Sequence, residues 1–224
     1  MKKMPTLFKK DPNDLGRVIN EIHPDSGWVI SEPRSVTVTQ KYDGTAAYIF
    51  EGDIYKRFDA KPGRKIPFGA IPCQKEPDPN SNHWPHWIKC DPDKNEDRYF
   101  FEGLSALKNQ RLYDVPSDYF DGTYELVGPK VNANPEKVNY HLLLKHRWET
   151  CQRRYGVLII LELIQELIEN ESPEDLFNSI NLVFKLKSAD MEGVVFHHED
   201  GRMCKIRLRD FGVKREGKGV SRET

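Results

Sequence analysis

The chain has 224 residues, of which 38% are hydrophobic and 31% charged: enough apolar material for a packed core beneath a strongly polar surface. With 34 Lys and Arg against 35 Asp and Glu, the formal net charge is −1, so no global field marks a nucleic-acid binder and any such site must be a local patch. The longest apolar run, Val157 to Leu161, is far too short to span a bilayer. No apolar stretch follows the basic Met1-Lys2-Lys3 start, which speaks against a secretory signal. Cys73, Cys90, Cys151 and Cys204 are too sparse for a disulfide scaffold. The expectation is a cytoplasmic protein with reduced thiols and no membrane partner. Length suits a single domain over 1–224, with 213–224 as a mobile basic tail; oligomeric state stays open.

The opening to about Gly27 carries scattered turn formers and reads as a segment that wraps the domain. From Val36 the pattern changes: Val36, Val38 and Gln40 alternate with Thr37, Thr39 and Lys41. Asp43-Gly44 punctuates, Thr45 to Phe50 continues as β-prone residues, and Glu51-Gly52-Asp53 turns the chain into Ile54 to Phe58. These are short antiparallel strands. Residues 59–97, rich in Pro, Asn, Asp and Lys, read as one long excursion. Strand character returns at Tyr99 to Phe101 and at Gly122 to Val127, then Pro129 and the Asn132–Pro135 stretch break it.

From Val157 the period becomes helical, with Val157, Ile160, Leu161, Ile164, Leu167 and Ile168 on one face. A second helix starts with Ser172 as N-cap, Pro173 at the first position and Glu174 and Asp175 in the first turn, and runs to about Leu186. Gly193 to Phe196 reads as a buried strand, and after the Asp200-Gly201 turn Met203 to Leu208 forms another. Lys205, Arg207 and Arg209 share one face of that strand. From Arg202 to Thr224 there are eight basic and three acidic residues, the local patch that the overall balance conceals.

The most informative segment is Lys41-Tyr42-Asp43-Gly44. A lysine at a strand end, beside a carboxylate and a glycine that lets backbone approach a ligand, suits an amine nucleophile. Attack at neutral pH requires loss of the amine proton, which desolvation and nearby positive charge both favour. Taken alone, the four residues also describe a hairpin turn with a surface lysine. Glu125 and Glu192 alone are ordinary strand-end carboxylates, Arg57 a solvated hairpin residue, and Lys205, Arg207 and Arg209 a charged strand edge.

Taken as an ordered set they carry more. Lys41, Arg57, Glu125 within Tyr124-Glu125-Leu126-Val127-Gly128, Glu192 within Glu192-Gly193-Val194-Val195-Phe196, and Lys205-Ile206-Arg207 follow one another over about residues 36–212. The series resembles motifs I, Ia, III, IV and V of the covalent nucleic-acid ligases and mRNA capping enzymes. Trp28-Val29, the run Gly128-Pro129-Lys130-Val131-Asn132-Ala133-Asn134-Pro135, the Tyr140-His141-Leu142-Leu143-Leu144 strand and Asp210-Phe211-Gly212 resemble the 5′-to-3′ group of ATP-dependent RNA ligases. DNA ligases and capping enzymes generally carry an OB-fold domain after motif V, and 12 residues follow Gly212 here.

The resemblance implies an α+β nucleotidyltransferase (ligase adenylation) fold: antiparallel sheets around a nucleotide cleft, flanking helices and no OB domain. It implies ATP as nucleotide, AMP held covalently on Lys41, and RNA with 5′-phosphate and 3′-hydroxyl ends as partner. Lys205 and Arg207 would neutralise the transferring phosphate; the family usually has a second lysine where Arg207 stands. Glu192 would hold Mg²⁺ or Mn²⁺. Arg57 and Glu125 would grip the ribose or phosphate region, and Asp43, with Gly44, would orient the site. Gln40, just before the nucleophile, is positioned to reach the adenine edge; related ligases often carry Glu there, so this position leaves the choice of base open. The alternatives are a minimal DNA ligase, a GTP-using capping nucleotidyltransferase, or a non-catalytic RNA-end-binding module on the same fold.

Three other features stay outside that set. Cys73, His83, His86 and Cys90 are zinc-ligand types, but their spacing fits no common finger, and Trp84, Pro85 and Trp87 point to an ordered aromatic loop. Such rings can stack on RNA bases or, the favoured reading, anchor the loop to the core. His197-His198 follows a buried strand, so one side chain faces inward and the other outward. Lys214, Arg215, Lys218 and Arg222 are either RNA-phosphate contacts or a solvated end.

Overall fold

The structure is a computed structural model that describes residues 4–79, 82–109, 117–146, 155–187 and 191–215. It mixes helices with three antiparallel sheets, an arrangement compatible with the α+β class. Among the described residues no helix is long and apolar enough to cross a membrane. The described residues fall into two compact units, those within 43–146 in one and those within 4–42 and 155–215 in the other. No change of composition marks the junctions. The one at Tyr42 falls inside the Lys-Tyr-Asp-Gly segment, where nothing resembles a linker.

The unit formed by 4–42 and 155–215 holds β1 (Phe8–Lys10), β2 (Val18–Ile22), the short α1 (Trp28–Ser31), β3 (Val36–Lys41), α3 (Tyr155–Asn170), α4 (Pro173–Lys187), β10 (Gly193–His198) and β11 (Met203–Arg207). β1 and β2 pair as a hairpin, and β11-β10-β3 form an antiparallel sheet with β10 in the middle. The opening segment does more than wrap. Thr6 bridges Lys205 in parallel, and the Leu7 N–H donates to the Lys205 carbonyl at 2.8 Å, which covers the β11 edge.

α3 buries Val157, Ile160, Leu161, Ile164 and Ile168 at helical spacing, and α4 buries Leu176, Ile180 and Phe184. Both stripes pack with Val36, Val38, Val194, Phe196, Cys204 and Ile206 of the sheet. α4 starts as the sequence suggests: Ser172 Oγ accepts the Asp175 N–H at 3.2 Å, and Pro173 occupies the first turn.

The other unit is built on a six-stranded sheet, β6-β7-β5-β4-β8-β9. Its strands are β4 (Thr45–Phe50), β5 (Asp53–Ala60), β6 (Ile71–Pro72), β7 (Trp84–Lys89), β8 (Gly122–Val127) and β9 (Leu142–Lys145), and its helix is α2 (Arg98–Asn109). Two expectations need correction. The Tyr99–Phe101 stretch is helical, because Phe100, Leu104 and the half-buried Leu107 recur at helical spacing and pack on Ala47, Ile49, Tyr124, Leu126 and Leu143. Gly103 lets the helix approach: a Cβ there would stand 2.9 Å from Leu126 Cδ1. The 59–97 excursion is not one loop either. Its Trp84–Lys89 stretch is β7, paired along β5 from Tyr55↔Lys89 to Ala60↔Trp84. Trp87 is buried and stacks on Tyr48 at 5.5 Å between ring centroids.

Ile164 is fully buried in the first of these cores. Ile164→Ala is expected to destabilise the protein by about 2–5 kcal/mol, read as a lower denaturant midpoint with an unchanged slope.

Candidate functional site

The three-stranded sheet has two unlike faces, and its register says which residue lies on which. Val38, Phe196 and Cys204 form one cross-strand row and Gln40, Val194 and Ile206 the next. Both rows face the helical core. On the opposite face the rows are Thr37–His197–Met203, Thr39–Val195–Lys205 and Lys41–Gly193–Arg207. This face is polar, and it gathers three cations at one end of the sheet.

Strand alternation therefore separates Gln40 from Lys41. Gln40 is buried on the core face, turned away from the side on which Lys41 stands. Thr37 and Thr39 share the Lys41 face on β3, and Thr39 Oγ1 lies 2.9 Å from His197 Nε2. His198 points the other way. Its ring sits edge-on to Trp28 and lies 3.2 Å from Glu32 and 2.9 Å from Asp200, so the expected inward and outward pair is found.

At the Lys41 row the geometry is ionic. Lys41 Nζ donates to Glu192 Oε2 at 2.6 Å and to the Tyr42 carbonyl at 3.2 Å. The Lys41 and Glu192 side chains are 20% and 18% exposed, so the pair is shielded yet reachable. Between Lys41 and Arg207 lies Gly193, where a Cβ would be driven into the Ile206 carbonyl oxygen and the Arg207 Cα. The floor between the two cations must be bare backbone. Lys205 stands one row back on β11. Burial first, then the charges of Lys41 and Arg207, push its ammonium down from 10.5 to about 8, against the pull of Glu192 and Asp210.

Arg207 is held by Asp210. The Asp210 carboxylate accepts the Arg207 backbone N–H at 2.9 Å, Nε at 3.1 Å and Nη2 at 2.8 Å, while Lys10 Nζ donates to Asp210 Oδ1 at 2.6 Å. Asp210 has no exposed side-chain surface. Burial pushes its carboxyl up, yet the hydrogen bonds from Arg207 and Lys10 outweigh this and hold it below the usual value. Four cations, Lys10, Lys41, Lys205 and Arg207, thus meet two carboxylates in this unit. The excess is positive, and such an excess suits an anionic ligand with several oxygens.

The remaining expected residues belong to the six-stranded unit and are held there. Glu125 Oε1 accepts the Gly44 N–H at 3.0 Å, and Oε2 lies 3.1 Å from His146 Nε2. Glu136 Oε1 accepts the Asp43 N–H at 2.9 Å, and Asn132 Nδ2 donates to Asp43 Oδ1 at 3.1 Å and to the Gly44 carbonyl at 2.8 Å. Asp43-Gly44 is thus clamped by three side chains. Gly44 is required by close approach, since a Cβ there would be driven into the Leu126 carbonyl. Arg57 on β5 pairs with Trp87 and donates from Nε to Asp59 Oδ1 at 2.9 Å.

Among the described residues no three of His, Cys, Asp and Glu gather into a group able to hold a metal ion. Cys73, His83, His86 and Cys90 are thus not drawn together into such a group. His86 is buried with Nδ1 2.9 Å from the Trp84 carbonyl, and burial pushes the Cys90 thiol up to about 12. Of the basic tail, Lys214 is exposed and Arg215 buried. Lys218 and Arg222, like Cys151, lie outside the described residues.

The set comprising Lys41, Glu192, Lys205 and Arg207 is thus brought together in one unit. Asp43, Gly44 and Glu125 form a second group in the other. Sequence reasoning missed Lys10, Glu136 and His146, and touched Asn132 and Asp210 only within longer segments. Asp210 also had a local signal, its three-residue spacing from Arg207 being that of a capping box. Lys10 reaches Asp210 across 200 residues of sequence, and no local pattern announces that. No known protein-family model matches the chain, and no curated protein matches it in sequence.

Because Lys205 binds its proton less well in the fold than in the unfolded chain, the unfolded state holds more protons between about pH 8 and 10.5. Its burial therefore costs stability below about pH 8, and that cost is relieved as pH rises through the window. Lys205→Met is expected to be more stable than wild type at pH 7, by an amount on the order of 1–3 kcal/mol. The difference should shrink toward pH 10, as read by denaturant titration at several pH values.

Proposed function

We propose that this protein is an ATP-dependent RNA ligase on the nucleotidyltransferase fold, joining RNA 5′-phosphate and 3′-hydroxyl ends through a lysyl-AMP intermediate. One observation carries the reading: a shielded lysine at a strand end, ion-paired with Glu192 at 2.6 Å on the face that also bears Lys205 and Arg207. That is the company a nucleophilic amine needs to attack a phosphate. The ordered motif series supports the same reading, and the assignment to RNA rests on the segments from Gly128 to Pro135, Tyr140 to Leu144 and Asp210 to Gly212.

The chemistry follows from the charges. The Lys41 ammonium first gives up a proton, for which Glu192 Oε2 is the adjacent acceptor. The amine then bonds to the α-phosphorus of ATP as the bond from that phosphorus to the bridging oxygen breaks, and the electron pair leaves with pyrophosphate. Charge gathers on non-bridging oxygens, where Lys205 and Arg207 oppose it; positioning and neutralisation of this kind supply most of the catalysis in phosphoryl transfer. AMP next passes from Lys41 to an RNA 5′-phosphate, and the RNA 3′-hydroxyl attacks that phosphate and expels AMP.

Once the Lys41 proton has passed on to solvent, Glu192 would suit a hydrated divalent cation that arrives with phosphate, since Mg²⁺ keeps several waters and takes only one or two carboxylates. Such an ion, Mg²⁺ or Mn²⁺, would add Lewis-acid neutralisation of phosphate charge.

Purified protein incubated with ATP, Mg²⁺ and RNA bearing a 5′-phosphate and a 3′-hydroxyl should produce joined RNA. Glu192→Ala should lower the joining rate by about 100-fold or more. Joining of DNA ends in preference to RNA, nucleotide transfer from GTP alone, or RNA-end binding with no joining would each replace this reading with the corresponding alternative.

A further inference from the structure

The polar face of the three-stranded sheet has a direction. Lys41 and Arg207 occupy its two outer strands, level with one another and separated by Gly193. Two strand spacings put their backbones about 10 Å apart, and the glycine leaves the space between them free of side chain. In phosphoryl and nucleotidyl transfer the attacking and leaving groups lie roughly in line. A nucleotide phosphate seated over Gly193 would thus send its leaving group toward the β11 side when the amine attacks from β3.

On that side the cation is not single. Lys10 Nζ and Arg207 Nη2 both donate to the same oxygen of Asp210, at 2.6 and 2.8 Å, so the two positive groups are held beside each other. The carboxylate between them is wholly buried, whereas Lys10 is 27% and Arg207 14% exposed. One buried negative charge thus holds two partly exposed cations, with a net positive charge. Arg207 has Nε and Nη2 engaged by Asp210, which fixes its plane and leaves its position little freedom.

We infer that Lys10 and Arg207, paired through Asp210, bind the pyrophosphate group that leaves when Lys41 attacks the nucleotide. Lys10 contacts the leaving group, and Asp210 is a positioning residue. The inference rests on the lysyl-nucleotide reading of Lys41 and adds a residue and a step to it. Its consequence is step-specific. Pyrophosphate is released only when Lys41 is nucleotidylated; transfer of AMP to RNA and sealing release none, so Lys10 serves the first step alone.

The test follows AMP-adduct formation on Lys41 by intact mass in single turnovers over a range of ATP concentrations, for wild type, Lys10→Met and Lys10→Arg. In parallel, the same proteins seal RNA already carrying a 5′-adenylyl group. Lys10→Met should raise the ATP concentration needed for half-maximal rate and lower the ratio of rate to that concentration by about tenfold or more. Lys10→Arg should recover most of the loss, and sealing of adenylylated RNA by Lys10→Met should fall by a clearly smaller factor than adduct formation. An unchanged ATP dependence in Lys10→Met overturns the inference. So do equal losses in both assays, which would make Lys10 a purely structural partner of Asp210. Absence of any adduct on the wild type would instead overturn the ligase reading itself.

Discussion

Like charges on one short sheet repel, and burying a lysine removes water that its ammonium would otherwise keep. The β11-β10-β3 sheet accepts both costs at once. Its inner face is filled by Val38, Val194, Phe196, Cys204 and Ile206 against the two long helices. Its outer face carries Lys41, Lys205 and Arg207, and burial first, then the neighbouring charges, hold the Lys205 ammonium below its usual value. Glu192 and Asp210 offset part of the repulsion, Glu192 at Lys41 and Asp210 between Arg207 and Lys10. A multiply charged anion on this face would relieve the rest.

The rest of the unit serves to hold this face still. β10 is the central strand, pairing with β3 on one side and β11 on the other, so the Lys41, Gly193 and Arg207 row is fixed by two ladders of backbone hydrogen bonds. The hydrophobic stripes of α3 and α4 weight the sheet from behind. The segment around Thr6 and Leu7 closes the β11 edge and leads directly into β1, the strand that delivers Lys10. In the second unit, Glu125, Asn132 and Glu136 fasten Asp43-Gly44, the residues that follow Lys41 and Tyr42 in the chain.

Much of this was legible in the sequence where local pattern and burial agree. The alternation of Val36, Val38 and Gln40 with Thr37, Thr39 and Lys41 already implied that Gln40 and Lys41 face opposite ways; the structure makes the consequence plain by burying Gln40 in the core. The stripes of α3 and α4 and the Ser172 cap were equally local. What was not legible depended on distant partners. Three adjacent bulky residues, Tyr99-Phe100-Phe101, have strand propensity, and only packing of Phe100 and Leu104 on β8 and β9 residues makes them helical. Trp84–Lys89 contains a proline and sits among turn formers, and only pairing with β5 makes it a strand. The charges divide the same way: Asp210 lies three residues from Arg207, whereas Lys10 arrives from the other end of the chain.

The claim on which the account turns is that Lys41 is a nucleophile toward nucleotide phosphorus. It is tested most directly by intact mass of the protein after incubation with ATP and Mg²⁺, beside Lys41→Ala, with peptide mapping of any adduct. The account predicts one AMP on the wild type, mapped to Lys41 and absent from the variant. Folded wild-type protein that is not already adenylylated and gains no adduct from ATP, or an adduct that persists in Lys41→Ala, would contradict it.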